Sequence, residues 1–229
     1  MKDVVVLIMA AGQSSRFGTD KRFAKLPNGQ AMMEQVIQTV KQTRLDFKLV
    51  IKPSDLELEF FRSFPEDNLL VAKNATQGLG ASLSDAITII EGHYQNCLIC
   101  LADMPYINPE TYSVVYQKLI EANQHKQQVL AVIPYVEVSG EMKQGHPIAI
   151  NYFLYENFKR LNGEKGGRGV LKQYVNHSAF LEVGDLYIIR DVDVVAQYES
   201  NKKDKVREKV KMKKVKTPMK KSEDTHEKK

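Results

Sequence analysis

Short runs of apolar residues recur along the chain, and segments with a different periodicity separate them. The runs are rich in Val, Ile and Leu and do not alternate with polar residues, which is typical of strands in a sheet covered on both faces. The pattern predicts strands at residues 4–9, 48–51, 69–72, 97–102, 129–134 and 186–189.

The segments between these runs carry apolar residues at the 3.6-residue spacing of amphipathic helices. They predict three helices, the last of which opens at a proline, a residue favoured in the first helical turn. The apolar positions are Met33, Val36, Ile37 and Val40 in the first helix, Leu83, Ala86, Ile87 and Ile90 in the second, and Val114, Val115, Leu119 and Ile120 after Pro109 in the third. Alternating strands and helices predict an α/β fold with a doubly wound, mostly parallel sheet.

The patterned part of the chain ends near Glu199, so we predict one domain over residues 1–199 and a basic, disordered tail over 200–229. Residues 201–229 contain 13 Lys and Arg against 5 Asp and Glu, and removing this surplus of 8 from the net charge of +5 leaves −3 for the rest. The domain is therefore mildly acidic, and the pI of about 9.0 does not indicate that it binds nucleic acid. Binding of RNA or an anionic surface stays open for the tail alone, which lacks interleaved aromatic residues.

The longest uninterrupted apolar stretch, residues 4–11, is far shorter than the roughly 20 residues needed to span a bilayer. The sequence also lacks the basic leader and cleavage site of a signal peptide. We therefore expect a cytoplasmic protein that is not attached to a membrane.

The two cysteines, Cys97 and Cys100, have a C-x-x-C spacing but fall in a predicted buried strand. Residues three apart on a strand point to opposite faces, and a structural zinc site would need a second pair of ligands. We expect two buried thiols without a metal or redox role.

The segment that follows the first predicted strand, residues 10–27, combines glycines, serines and cations. In an open α/β sheet this place is the carboxyl edge, where ligands bind. Gly12 and Gly18 allow backbone N–H groups to face an anion, and Ser14 and Ser15 add donors. Converging cations neutralise a triphosphate. The cations here are Arg16, Lys21, Arg22 and Lys25.

Other phosphate-binding loops fit this segment poorly. It contains neither G-x-G-x-x-G nor G-x-x-x-x-G-K-[ST]. A dinucleotide-binding Rossmann site and a Walker-type ATPase are therefore not indicated.

Residues 9–21, MAAGQSSRFGTDK, resemble the signature loop of the MobA-like NTP transferases. The Ala-Ala-Gly start resembles the molybdenum cofactor cytidylyltransferases more than the guanylyltransferases. The resemblance implies a Rossmann-like nucleotidyltransferase fold of the glycosyltransferase-A type. It also implies a loop that wraps the triphosphate of CTP or another NTP, with Arg16 and Lys21 as catalytic cations. The implied nucleotide-binding residues of the loop are Ala10, Ala11, Gly12, Ser14, Ser15, Arg16 and Lys21.

Two later segments resemble the metal-binding motifs of the same family. LADMP, residues 101–105, implies a catalytic Mg²⁺ ligand at Asp103, and a carboxylate at the carboxyl end of a strand suits that role. RDVDVVAQYE, residues 190–199, implies Asp193 as the second ligand. This segment departs from the family pattern, because residues 194–197 are Val, Val, Ala and Gln where Thr, Pro, Glu and Asp are usual.

NATQGLGASLSDAI, residues 74–87, resembles the loop and helix start near the nucleotide base in this family. It implies that Gln77, Gly78 and Ser82 bind the nucleotide. Ser82 has a second interpretation as a helix N-cap, and both stay open.

QGHPIAI, residues 144–150, and NGEKGGRGVL, residues 162–171, resemble the segments that line the acceptor side in the family. The second segment departs from the usual pattern at Glu164 and Gly167, which replace Asp and Ala. The implied acceptor-binding residues are Gly145, His146, Gly166, Gly167 and Arg168.

The resemblance implies transfer of CMP from CTP to a phosphorylated acceptor such as molybdopterin, with release of pyrophosphate and a molybdoenzyme or its chaperone as a partner. A phosphate monoester has a second pKa of about 6 and is already a nucleophile at neutral pH. The reaction therefore needs no Ser/His/Asp or Cys/His set. Two alternatives stay open: a sugar phosphate or alcohol phosphate as the acceptor, and a nucleotide-binding protein without turnover.

Overall fold

The structure, a computed structural model, describes residues 1–12, 20–124 and 128–192. The described residues contain eight strands, which form one mixed sheet. They are β1 (Lys2–Met9), β2 (Asp46–Ile51), β3 (Leu69–Val71), β4 (Tyr94–Leu101), β5 (Ala131–Val138), β6 (Glu141–Gln144), β7 (Ile148–Asn151) and β8 (Ser178–Glu182). Contacts divide the chain after Asp191, and all of these strands belong to the unit Met1–Asp191.

The sheet has the strand order β3-β2-β1-β4-β7-β5-β6, and β8 also pairs with β5. β3, β2, β1 and β4 are parallel to one another, whereas β7 is antiparallel to both β4 and β5. The chain moves outward from β1 through β2 to β3 and then returns to place β4 on the other side of β1. The carboxyl ends of β1 and β4 therefore form the topological switch point, where open α/β sheets bind ligands.

Six α-helices and several short 3₁₀ turns connect the strands of the described residues. The helices are α1 (Met32–Gln42), α2 (Glu59–Arg62), α3 (Leu79–Ile90), α4 (Pro109–Gln124), α5 (Tyr155–Phe158) and α6 (Arg168–Gln173). In the parts of the chain that the structure describes, no helix has the length and apolar character of a membrane span.

The helices cover both faces of the sheet and create two cores. α1 and α4 pack on one face, and α3, α5 and α6 pack on the other. Successive residues of β1 alternate between the two cores, since Val4, Val6 and Ile8 belong to the first and Val5 and Leu7 to the second. This arrangement confirms the predicted doubly wound α/β fold.

The structure differs from the predicted elements at residues 186–189, which form a 3₁₀ turn and not a strand. Tyr187 and Ile188 are buried, so the apolar run was a correct sign of burial. The turn forms because the Asp185 carboxylate accepts hydrogen bonds from the Tyr187 N–H and from the Thr111 hydroxyl at the start of α4. Capping contacts of this kind favour a turn over an extended strand.

The two cysteines are buried as predicted. Cys97 belongs to one core and Cys100 to the other, because they point to opposite faces of β4. Burial raises the pKa of Cys97 well above its usual range and that of Cys100 to about 12. Both therefore stay protonated at neutral pH.

Candidate active site

Two of the predicted site segments meet at the topological switch point. Gly12 follows β1, and Asp103 follows β4. Met9 at the end of β1 pairs with Leu101 at the end of β4, and the Ala102 N–H donates to the Met9 carbonyl. The neighbouring ends of these strands bring residues from distant parts of the chain to one place.

Lys21 and Asp103 form an ion pair across this place. The distance from Lys21 Nζ to Asp103 Oδ2 is 3.0 Å, although the two residues are 82 positions apart in the sequence. The Lys21 side chain is only 14% exposed and that of Asp103 33%. Sequence analysis predicted both residues as catalytic, and the structure brings them together.

The second carboxylate oxygen of Asp103 is available as a metal ligand. Asp103 Oδ1 is buried and has no hydrogen-bond partner among residues 1–12, 20–124 and 128–192. Mg²⁺ binds in proteins through one or two carboxylates and the phosphates of its substrate, so this oxygen fits such an ion. The predicted second ligand, Asp193, lies outside the described residues, as do Ser14, Ser15 and Arg16 of the first loop.

The first two residues of the signature, Ala10 and Ala11, have buried side chains. Each packs into a different core, so only their backbone groups could contact a nucleotide. The Ala10 N–H donates to the Val50 carbonyl, and the Ala10 carbonyl accepts from Arg22. Gly12 is exposed and has open space around its Cα, so the backbone there is accessible to a ligand.

Arg22 does not face the ligand side, contrary to the prediction that it helps to neutralise a triphosphate. Its side chain is 7% exposed and bonds in a bidentate manner with Asp55, at 2.6 and 2.7 Å. It also bonds with Asp20 and, at 2.9 Å, with the Ala10 carbonyl. These contacts engage every N–H donor of the guanidinium, so Arg22 is an internal anchor.

Burial by itself lowers the pKa of Arg22, but the carboxylates of Asp55 and Asp20 outweigh it and raise the pKa well above its usual range. Burial likewise raises the pKa of Asp20, but hydrogen bonds and the charge of Arg22 more than offset this and lower it overall. Arg22 and Asp20 therefore both stay ionised near neutral pH.

His146 lies two residues before β7, near enough to Asp103 to be affected by its charge. Its Nδ1 is 3.1 Å from the Ile99 carbonyl oxygen, and since a carbonyl only accepts, Nδ1 carries the proton. Burial lowers the pKa of His146, while the Asp103 charge acts in the opposite direction and Arg168 adds to the lowering. The imidazole is therefore neutral at physiological pH, with Nε2 as an acceptor.

Gly145 supports this histidine through close packing. A Cβ at this position would lie 2.0 Å from the Ile188 carbonyl oxygen, which accepts the His146 N–H at 2.9 Å. A contact of Gly145 with the acceptor stays a prediction, and the structure gives this glycine a packing role.

The predicted base-side and acceptor-side segments dock on each other at the start of α3. The Gly80 N–H donates to the Gly163 carbonyl at 2.9 Å. Gly78 has a φ of 117°, and a Cβ there would approach the backbone of Glu164 to 2.8 Å. Glycines at both positions thus permit the close contact of two backbones.

Ser82 lies inside α3 and is not its N-cap, which is Gly78. Its side chain is buried, and its hydroxyl donates to the Gly78 carbonyl at 3.1 Å. Gln77 is exposed, and its Nε2 donates to Asn74 Oδ1 at 3.3 Å. The N-cap interpretation of Ser82 is therefore wrong, and a nucleotide contact of Gln77 stays a prediction.

On the acceptor side, Gly167 is the N-cap of α6 and packs against Phe158. Gly166 packs against Leu79. Arg168 begins α6, and its side chain is exposed. Of these residues, Arg168 has a charged group that can reach a ligand.

Sequence reasoning missed Asp20 and Asp55. A carboxylate whose partner lies 33 residues away, as Asp55 does from Arg22, gives no local sequence signal. The one available signal was that Asp55 follows the second predicted strand, near the sheet edge where ligands bind.

Comparison with known proteins identifies the kind of domain that carries this arrangement. Residues 6–178 match the model of the MobA-like NTP transferase domain. The probable molybdenum cofactor guanylyltransferase of Geobacillus sp. (strain WCH70) is 28% identical over 110 residues, which are 48% of this chain and 55% of that protein. The matched region thus spans about half the length of this curated relative.

Solved structures share the fold at low sequence identity. Rv0371c from Mycobacterium tuberculosis H37Rv superposes with a TM-score of 0.68 at 19% identity, covering 87% of this chain and 96% of that one. A manganese complex of the same protein gives 0.65 at 16% identity, covering 87% and 97%. CMP:2-keto-3-deoxy-manno-octonic acid synthetase complexed with CTP gives 0.66 at 14% identity, covering 90% and 100%.

Proposed function

Because the chain belongs to the family of MobA-like NTP transferase domains, we propose that it transfers CMP from CTP to a phosphorylated small-molecule acceptor and releases pyrophosphate. The proposed acceptor is molybdopterin. The observation that carries the proposal is the pairing of Lys21 with Asp103, at 3.0 Å, at the switch point of the sheet. A cation and a carboxylate held together at this edge suit a site that must receive both a triphosphate and a metal ion.

In this proposal Lys21 binds the phosphates of the nucleotide. An ammonium has three N–H donors, so Lys21 can contact Asp103 and a phosphate oxygen at the same time. Lys21 bonds with Asp103 after β4, and the exposed backbone of Gly12 follows the neighbouring strand β1, which suits binding of the triphosphate along that edge. The low exposure of Lys21 strengthens the attraction, since water screens a partly buried charge less.

Asp103 would hold Mg²⁺ through Oδ1, with Asp193 as the proposed second ligand. The bound ion would neutralise phosphate charge and so reduce the repulsion between triphosphate and acceptor. The manganese complex of the fold neighbour Rv0371c supports a divalent ion in this type of domain.

The acceptor side is proposed to consist of His146 and Arg168, with Gly145, Gly166 and Gly167 shaping the surface. Arg168 can form bidentate hydrogen bonds with a phosphate. Neutral His146 can accept a hydrogen bond at Nε2 without adding charge. A phosphate monoester is largely dianionic at neutral pH, so no side chain has to remove a proton from it.

The choice of base rests on two indications that differ. The Ala10-Ala11-Gly12 start of the loop favours CTP, whereas the curated relative is named a guanylyltransferase. We propose CTP, with Gln77 and Gly78 near the base, because the loop residues belong to this chain itself.

A thermal-shift panel with Mg²⁺ and CTP, GTP, UTP or ATP tests the donor. A nucleotide at 100 times its Kd stabilises the folded state by about 2.7 kcal/mol, and we expect this for CTP. Stabilisation by GTP alone would reassign the base, and no stabilisation by any of the four would contradict the proposal. Pyrophosphate release with molybdopterin, compared with sugar phosphates and alcohol phosphates, then identifies the acceptor.

The proposed setting is the cytoplasm, with a molybdoenzyme or its chaperone as the protein that receives the product. A pull-down with the purified chain tests this partner directly. A chain that binds nucleotide but releases no pyrophosphate with any acceptor would instead be the non-catalytic binding protein.

A further inference from the structure

We infer that Arg22 and Asp55 form a positioning pair that holds Lys21 against Asp103, which couples the loop after β2 to the phosphate site. The inference rests on the proposed function for its kinetic consequence. Its structural part concerns only how Lys21 is held, and can be tested without a substrate.

Arg22 lies on a turn in which neighbouring side chains bond with different parts of the protein. Lys21, Arg22 and Phe23 form a single 3₁₀ turn, and Asp20 caps it by accepting the Arg22 N–H at 3.1 Å. The Arg22 side chain is buried and bonds with Asp55, whereas the adjacent Lys21 side chain extends to Asp103. Holding Arg22 therefore sets where the backbone of Lys21 lies.

Arg22 is held by three separate parts of the chain. Its guanidinium bonds with Asp55 after β2, with the Ala10 carbonyl after β1, and with Asp20 at the start of its own turn. A planar guanidinium can make such simultaneous contacts because its donors have fixed directions. A lysine at this position could keep the charge but not all three contacts.

Aromatic rings complete the anchor. Arg22 lies over the rings of Phe23 and Phe61, at 5.7 and 5.2 Å from their centroids. Phe23 in turn packs edge-on against Phe60 at 5.2 Å. The turn is therefore fixed on its inner side by both charge and packing.

Asp55 is itself fixed by the backbone of its loop. Its side chain is 1% exposed, and its Oδ2 accepts the Lys52 N–H at 3.1 Å. Lys52 directly follows β2, the strand beside β1. Any movement at the end of β2 is thus transmitted through Asp55 to Arg22, and from there to Lys21.

The test compares the Asp55→Asn variant with the wild type, using Asp46→Asn as the matched control. Asp46 begins β2 and pairs with Lys2 at 2.7 Å, so the control removes an ion-paired carboxylate at the opposite end of the same strand. Acetylation of Lys21 by an amine reagent is followed by mass spectrometry, with the partly exposed Lys118 on α4 as the internal reference. Thermal denaturation is measured in parallel.

We expect Lys21 to be acetylated several-fold faster in Asp55→Asn than in the wild type, relative to Lys118, and Asp46→Asn to match the wild type. In transfer assays, kcat/KM should fall by about tenfold or more in Asp55→Asn, because small displacements of a catalytic group are costly. Lower thermal stability with unchanged acetylation of Lys21 would mean an ion pair with only a structural role, and would overturn the inference.

The Asp20→Asn variant provides the second test if Asp55→Asn folds poorly. Asn can still accept the Arg22 N–H and cap the turn, but it loses the charge that faces the guanidinium. A smaller increase in Lys21 acetylation is expected, and none would overturn the inference. Faster acetylation in a protein without transfer activity would support the positioning pair and contradict the proposed function, so the two failures are distinguishable.

Discussion

Asp103 places its two carboxylate oxygens in different surroundings. Oδ2 bonds with Lys21, and Oδ1 is buried with no partner in the described part of the chain. A buried oxygen without a donor is unfavourable unless a cation or ligand occupies the space beside it. This difference between the two oxygens is why we propose Asp103 as the metal-binding residue of the site.

Replacing Asp103 with Asn should remove most of the activity and little of the stability. The variant keeps the volume but loses the charge for Lys21 and the metal, so kcat/KM should fall on the order of 10²–10³. The partly exposed ion pair should contribute no more than about 1 kcal/mol to folding. Pyrophosphate release and thermal melts check both values, with the exposed Asp67→Asn variant as control. Full activity of Asp103→Asn would contradict the assigned role.

His146 should make folding sensitive to mild acid. Its pKa is lowered in the folded state, so the unfolded chain binds a proton first as the pH falls below the ordinary value of about 6.5. The contribution of His146 to the free energy of unfolding is therefore fully present above that pH. It is lost as the pH falls toward the pKa of His146 in the folded protein. Denaturant melts between pH 7.5 and 5.5 should therefore show a smaller loss in His146→Asn than in the wild type. His93 is exposed, so the control His93→Asn should lose as much stability as the wild type over this pH range. The same pH dependence of the free energy of unfolding in all three proteins would refute this effect.

The proximity of Lys21 and Asp103 could be predicted from the sequence, and the structure places their charged groups 3.0 Å apart. Asp103 and the signature loop both follow buried apolar strands, and parallel strands bring their carboxyl ends together. Arg22 was misassigned because a cation in a phosphate-type loop looks the same whether its partner is a ligand or a buried carboxylate. The ion pair with Asp55 holds the Arg22 side chain inside the protein. No local sequence pattern predicts this pairing.

At the scale of elements, burial could be predicted better than conformation. The runs that became β1 to β5 are almost entirely apolar, as expected of strands covered on both faces. β6 (Glu141–Gln144) is exposed throughout and mostly polar, so its own sequence does not predict a strand. It is extended because it pairs with β5 in a hairpin. Tyr187 and Ile188 were buried as expected, but residues 186–189 form a turn that Asp185 caps.

The docking of α3 on residues 162–167 should depend on Gly80. A Cβ at Gly80 would lie 2.4 Å from the Lys165 carbonyl oxygen, so Gly80→Ala should destabilise the fold by about 1–3 kcal/mol. Gly169, also the second residue of its helix, has open space around it. The Gly169→Ala control should be neutral or stabilising by up to about 1 kcal/mol, because alanine favours helix. Equal stability of the two variants in denaturant melts would rule out the tight contact.

For the whole molecule, charge is divided between the two parts of the sequence. The net charge of +5 becomes −3 without residues 201–229. A chain ending at Ser200 should therefore lose retention on a cation exchanger at pH 7 but keep the thermal shift produced by its nucleotide. Loss of that shift would show that the tail contributes to nucleotide binding.

The two thiols of β4 could report local unfolding of this protein. Cys97 and Cys100 point into different cores, between the sheet and the helices on each face. Burial keeps both thiols unreactive while the helices pack on the sheet. A thiol-labelling reagent would therefore mark Cys97 when the α3 side loosens and Cys100 when the α1 and α4 side does. A single strand thus carries one probe of local unfolding for each of the two cores.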